Sequence, residues 1–239
     1  IGSSTYAIVT AFNDYGAQII DVSNPTNIVA KDGVQRNAEF PVFYGAHGVD
    51  TFTVDSRTYA IVTGYLDDGV QIIDVSDPTN IVAKDKLTDS GSLELDGANH
   101  VDTFVIGSNT YAIVTAMADN GVQVIDISDP TDISTTDSGH DDSDNPAYTE
   151  LNAPNDVDIF TIGTKTYAIV ASVADDGVQV IDVSNPNNIV ANGEMDGIGN
   201  ANSVDTFTLT GTYAGTYAIV TAGQADGVQI IDVSNPSPT

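Results

Sequence analysis

TYAIVTGYLDDGVQIIDVSDP, residues 58–78, carries the pattern that decides the fold. Two short runs rich in Tyr, Ile and Val flank the triplet Asp67-Asp68-Gly69, and Pro78 closes the segment that follows Asp74. β-Branched and aromatic side chains suit a pleated strand. An acidic pair before Gly supplies the positive φ of a tight link, and proline presets φ while blocking further strand pairing. The stretch therefore reads as a hairpin followed by a turn. Ile61-Val62 and Val70-Gln71-Ile72-Ile73 do not alternate between apolar and polar. A strand apolar on both faces belongs to a sheet covered on both sides.

The same pattern recurs along the chain. The Tyr of the TYAIV run falls at Tyr6, Tyr59, Tyr111, Tyr167 and Tyr217, with spacings of 53, 52, 56 and 50. The GVQIID-type run ends on Asp21, Asp74, Asp126, Asp182 and Asp232 with those same spacings, so the link between the two runs has a fixed length. Two further strand-like elements occur four times each. One is VDTF or VDIF, with Asp50, Asp102, Asp158 and Asp205; the other follows the Asx-Pro turn and reads NIVAK in its clearest copies. No segment shows a helical period with caps. One unit is thus a four-stranded antiparallel meander of about fifty residues, the size of a propeller blade.

The expected fold is all-β: a five-bladed β-propeller with incomplete terminal blades, forming one repeat domain over residues 1–239. Its repeats run approximately over 1–45, 46–97, 98–152, 153–200 and 201–239. A stacked sandwich array is the competing architecture, and it calls for stronger in–out alternation. The first unit has no VDTF strand and the last stops before its NIVA strand. Either the chain is a processed or excerpted piece of a longer array, or a neighbour donates strands to the open edges.

Composition limits the partners. Six Lys plus Arg stand against 34 Asp plus Glu, a net charge of −28. Such a polyanion repels nucleic acid and anionic membrane, and no apolar run reaches the roughly 20 residues of a membrane span. Neither nucleic acid binding nor membrane insertion is expected. Salt screens self-repulsion and divalent cations neutralise it locally, which points to an extracellular or cell-surface setting. The absence of Cys excludes disulfides and thiolate chemistry.

Several constellations carry chemistry. The Asp at the end of each GVQIID run is expected to accept N–H groups of the following turn. Asp50, Asp102, Asp158 and Asp205, with Asp156 beside them, converge on a central channel if VDTF is the innermost strand. There they either bond to neighbouring blades and water or hold a hard cation such as Ca²⁺. The loop from Asp137 to Asn145, with Asp141, Asp142 and Asp144, is a second calcium candidate, although it lacks the spacing and closing Glu of an EF-hand. No cofactor is required. His47 and His100 fall one position apart in register and His140 reads as a loop residue, which disfavours zinc. The four Glu each precede a VDTF strand and do not form an acid–base pair of unlike environments. With no Walker, GxSxG or HExxH sequence, the chain is not expected to be an enzyme.

The order Ala-x-x-Val-Asp, then TYAIV, then GVQIIDVSNP resembles the LVIVD-repeat β-propeller family, found in secreted archaeal and bacterial surface proteins. TYAIVT stands where that family more often has YAYVA. The resemblance implies a propeller at the cell exterior and no shared catalytic residues. The function expected from these readings is an extracellular structural or assembly module, a surface-layer or filament component that self-associates through its terminal strands. A lectin-like or peptide-binding propeller is the alternative, with carbohydrate as partner, but its aromatic candidates Phe12, Tyr44, Tyr65 and Tyr148 are scattered.

Overall fold

The computed structural model describes residues 4–140, 147–224 and 227–236, and these form five antiparallel sheets. Sheet I holds β1 (Tyr6–Ala11), β2 (Gly16–Asp21) and β3 (Val29–Gln35). Sheet II holds β4 (Ala46–Val54), β5 (Arg57–Gly64), β6 (Gly69–Asp74) and β7 (Val82–Thr88). Sheet III follows with β8 (Ala98–Ile106), β9 (Asn109–Ala116), β10 (Gly121–Asp126) and β11 (Ser134–His140). Sheet IV has β12 (Pro154–Ile162), β13 (Lys165–Ser172), β14 (Gly177–Asp182) and β15 (Val190–Met195). Sheet V has β16 (Ala201–Leu209), β17 (Gly215–Ala222) and β18 (Gly227–Asp232). Each is a meander in sequence order; sheets I and V have three strands among the described residues and the others four.

The repeated hairpin works as its residues dictate. Tyr15, Asp68, Asn120 and Asp176, the last residues before the repeated Gly, adopt φ between 51° and 59°. In sheets II to IV an Asx side chain bears that left-handed conformation at low cost, and in sheet I Tyr15 adopts it as well, so the link closes alike in these four sheets. The Asp-Val-Ser turn is the second repeated device. The carboxylates of Asp21, Asp74, Asp126, Asp182 and Asp232 accept the N–H two residues on, at 2.9–3.1 Å. The Ser at that position in turn accepts a Thr N–H at the start of the preceding strand, as Ser76 does from Thr58 at 2.9 Å. The scarce cations gather here too: Lys31 pairs with Asp21, Arg57 and Lys84 with Asp74, and Lys165 with Asp182.

Side chains alternate between a forward face, towards the next sheet, and a backward face. Tyr59, Ile61, Val70 and Ile72 of sheet II pack forward on Val101, Val114 and Ile127 of sheet III. Ala60, Val62, Ile73 and Val75 pack backward on Ala17 and Ile19 of sheet I. Equivalent clusters join sheet III to IV and IV to V. The runs apolar on both faces are therefore buried on both faces, and Ile61, Val62, Ile72 and Ile73 have no exposed surface.

Two placements correct the sequence reading. Asp137 and His140 lie in strand β11, not in a loop. The carboxylate of Asp137 accepts the N–H of Ile189 at 2.7 Å, as Asp32 accepts Ile81 and Asp85 accepts Ile133. It is a strand-to-strand tie between sheets and already has its donor. Asp141, Asp142 and Asp144 lie outside the described residues.

Candidate functional site: the inner ladder and the end faces

The VDTF strands β4, β8, β12 and β16 are the inner strands of sheets II to V and contact one another in that order. Their Asp side chains point forward and their Thr side chains backward. The Asp50 carboxylate accepts the Thr103 N–H at 3.0 Å and its hydroxyl at 2.5 Å. Asp102 accepts the Ile159 N–H at 2.8 Å, the hydroxyl being absent because Ile replaces Thr. Asp158 accepts both the N–H of Thr206 at 2.8 Å and its hydroxyl at 2.5 Å. The four Asp do not converge: three are rungs of a ladder between sheets, and Asp205 is the exposed end of it. Among the described residues no three His, Asp or Glu side chains are placed to hold a metal ion.

Two polar rows run beside this ladder. Asn99 donates to the side-chain oxygen of Asn155 at 2.7 Å, and Asn155 donates to the Asn202 carbonyl at 2.6 Å. In the second row His100 Nδ1 lies 2.9 Å from Asp156, which also accepts Ser203 and the Val204 N–H. His47 occupies the Asn position in sheet II, its ring 5.2 Å from that of His100. Burial and the nearby His100 lower the His47 pKa. Burial first, then the negative charge of Asp50, pushes Asp102 up to about 7. Burial also acts to raise Asp156, but His100, Ser203 and the Val204 N–H outweigh it and hold its carboxyl below the usual range. The inner end thus holds the His100 imidazole against the buried Asp156 carboxylate.

The two end sheets differ from the rest in a way the sequence does not announce. Val228 and Ile230 on the forward face of sheet V are 60% and 63% exposed, whereas Val70, Ile72, Val122, Val124, Val178 and Val180 are at most 6% exposed. On the backward face of sheet I, Val9 and Ile28 are 49% and 61% exposed. Their counterparts Val62, Val114, Val170, Val220, Ile81, Ile133 and Ile189 do not exceed 7%.

The LVIVD repeat model matches the chain five times, at residues 3–35, 59–89, 105–138, 166–196 and 213–239. The chain belongs to the LVIVD-repeat family. Among curated proteins none matches it by sequence. Solved structures share its propeller architecture at low identity. A putative 6-phosphogluconolactonase from Bacteroides uniformis superposes with a TM-score of 0.66 at 13% identity, over 100% of this chain and 66% of that one. The PilY1 C-terminal domain from Pseudomonas aeruginosa gives 0.59 at 11%, over 99% and 58%. An exo-β-1,3-galactanase from Phanerochaete chrysosporium gives 0.56 at 9%, over 97% and 57%. This LVIVD-repeat chain therefore spans less than two thirds of the length of each.

These likenesses overturn the expectation that the chain is not an enzyme. A putative lactonase and a galactanase are built on the same fold, so neither the repeats nor the propeller architecture argues against catalysis.

Proposed function

We propose that the five sheets are the five blades of a propeller row left open between sheets I and V, and that the chain is an assembly module of the cell exterior. Copies join end to end, the forward face of sheet V seating on the backward face of sheet I of the next copy. The reading is carried by the bareness of Val228 and Ile230 where every internal counterpart lies under a following sheet. The faces are complementary because the same joint is made four times within the chain.

The energetics favour a joint that conditions can tune. Covering Val228, Ile230, Val9 and Ile28 contributes about 1.5–3 kcal/mol per side chain if burial is complete. Association costs about 4–15 kcal/mol in lost freedom, so the two are of similar size. Two copies at −28 each repel, and 1 M salt shortens the screening length to about 3 Å. A saline exterior supplies that screening. Light scattering is expected to give a mass above that of one chain in 1 M NaCl, falling towards one chain at low salt. The double variant Val228→Asp, Ile230→Asp is expected to remain a single chain in both. A wild-type chain that stays single in 1 M NaCl, or a variant that associates equally, would refute the reading.

A further inference from the structure

In sheets II to V the TYAIV strand is covered on its inner edge by a VDTF strand, β4 on β5, β8 on β9, β12 on β13 and β16 on β17. In sheet I the TYAIV strand is β1, and no described strand pairs with its inner edge. A groove of about 350 Å³ opens there, lined by Tyr6, Ile8 and Ile19 of sheet I and by Thr51, Thr58 and Val75 of sheet II.

What fills that volume elsewhere is known from three other joints. Between sheets II and III it is Phe52, between III and IV Phe104, and between IV and V Phe160, each at most 6% exposed. Each ring stacks on the Tyr of its own sheet, at 5.6 Å on Tyr59, 5.6 Å on Tyr111 and 5.4 Å on Tyr167. Tyr6 is the counterpart of these Tyr, and among the described residues no Phe stacks on it. The hydrogen-bond ladder stops at the same place. Thr51 occupies the position of Thr103 and Thr206, which receive Asp50 and Asp158 from the preceding sheet, yet no preceding-sheet carboxylate reaches Thr51 among the described residues. Its N–H bonds Asp50, as that of Thr103 bonds Asp102, so what Thr51 lacks is the second carboxylate, the one from the preceding sheet.

We infer that the inner edge of sheet I is a receptor slot for one added strand of the pattern aliphatic-Asp-Thr-Phe, the pattern of the inner strands of sheets II to V. The register follows from sheet II, where Asp50, Thr51 and Phe52 face Ile61, Ala60 and Tyr59. The donor Phe lies opposite Tyr6 and fills the groove, its Thr lies opposite Ala7, and its Asp lies opposite Ile8 and accepts the Thr51 hydroxyl. Backbone pairing gives affinity and the two side chains give specificity, as in other strand additions. The slot lies between sheets I and II, away from the outward end faces, so it does not depend on end-to-end assembly.

The test uses a fluorescein-labelled peptide of sequence ANSVDTFTL, that of residues 201–209, with the Val228→Asp, Ile230→Asp chain so that stacking does not interfere. Saturable anisotropy is expected, with affinity falling about tenfold when the peptide Phe is replaced by Ala and by a smaller factor when its Asp becomes Asn. Hydrogen exchange should slow in Tyr6–Ala11. Absence of saturable binding, equal binding of the Phe→Ala peptide, or protection at the open edge of β18 in place of β1 would each overturn the slot. End-to-end association is read separately, on wild-type chain without peptide, so either reading can fail alone. Because specificity is tested by changing the peptide, the folded state of the chain is not put at risk.

Discussion

The Asp of the VDTF strand ties adjacent sheets through one oxygen, and at Asp102 burial first, then the like charge of Asp50, sets the cost. Asp102 receives one donor from the next sheet where Asp50 and Asp158 receive two, because Ile159 has no hydroxyl. Its pKa of about 7 stands well above the ordinary 3.8 of the unfolded chain. Between those values the folded protein holds a proton that the unfolded chain has released, so folding is favoured at low pH and that contribution is lost as pH rises through about 7. Asp156, shifted the other way, loses its contribution only in acid, as pH falls through its lowered pKa. Asp102 therefore acts to lower the melting temperature as pH rises from 5 towards 7, while His47, whose pKa burial lowers, acts to raise it there, so the Asp102 contribution is read as the difference between wild type and an Asp102 variant. Asp102→Asn keeps an acceptor for Ile159 and removes the charge, so it is expected to raise the melting temperature at pH 8 by about 3 °C or more, with a smaller gain over wild type at pH 5. A lower melting temperature at pH 8, or an equal gain at both pH values, would contradict this assignment.

At the level of the element, one hairpin and one turn repeated five times build nearly everything described. Both were legible in the sequence. Asp-Asp-Gly reported a left-handed residue and Asp-Val-Ser-Asx-Pro a turn closed by its own carboxylate, because local chemistry settles each. Placement between elements was harder to read. Asp137 looked like a loop residue by its acidic company, but pairing with β10 draws it into β11, and contact with the next sheet decides its role. Gly48 is a similar case. A Cβ there would lie 2.6 Å from the Asn99 carbonyl oxygen and 2.8 Å from the His100 Cα, so at this point a side chain on β4 would press on the β8 backbone. Gly48→Ala is expected to force the two inner strands apart and to lower the melting temperature by about 5 °C, as followed by circular dichroism. An unchanged melting curve would show that the inner strands tolerate separation.

Across the whole molecule, identical sequence meets different surroundings. GVQIID appears both in β6, where all six residues are buried, and in β18, where five are exposed. No reading of the residues alone distinguishes them, since burial there is conferred by a following sheet. For the same reason the repeated polar positions beside the VDTF Asp could be read from the sequence while their pairing could not: which of Asn99, Asn155 and Asn202 donates to which is set only once the sheets stack. In the proposed end-to-end assembly, the acidic surface opposes the approach of two bare apolar ends, and salt is the expected control. Electron imaging of the particle in 1 M NaCl tests this most directly. Rows of five-sheet units with sheet V of one copy on sheet I of the next are expected. Single closed rings, with sheet V covered by sheet I of the same chain, would contradict an open propeller and end-to-end assembly together.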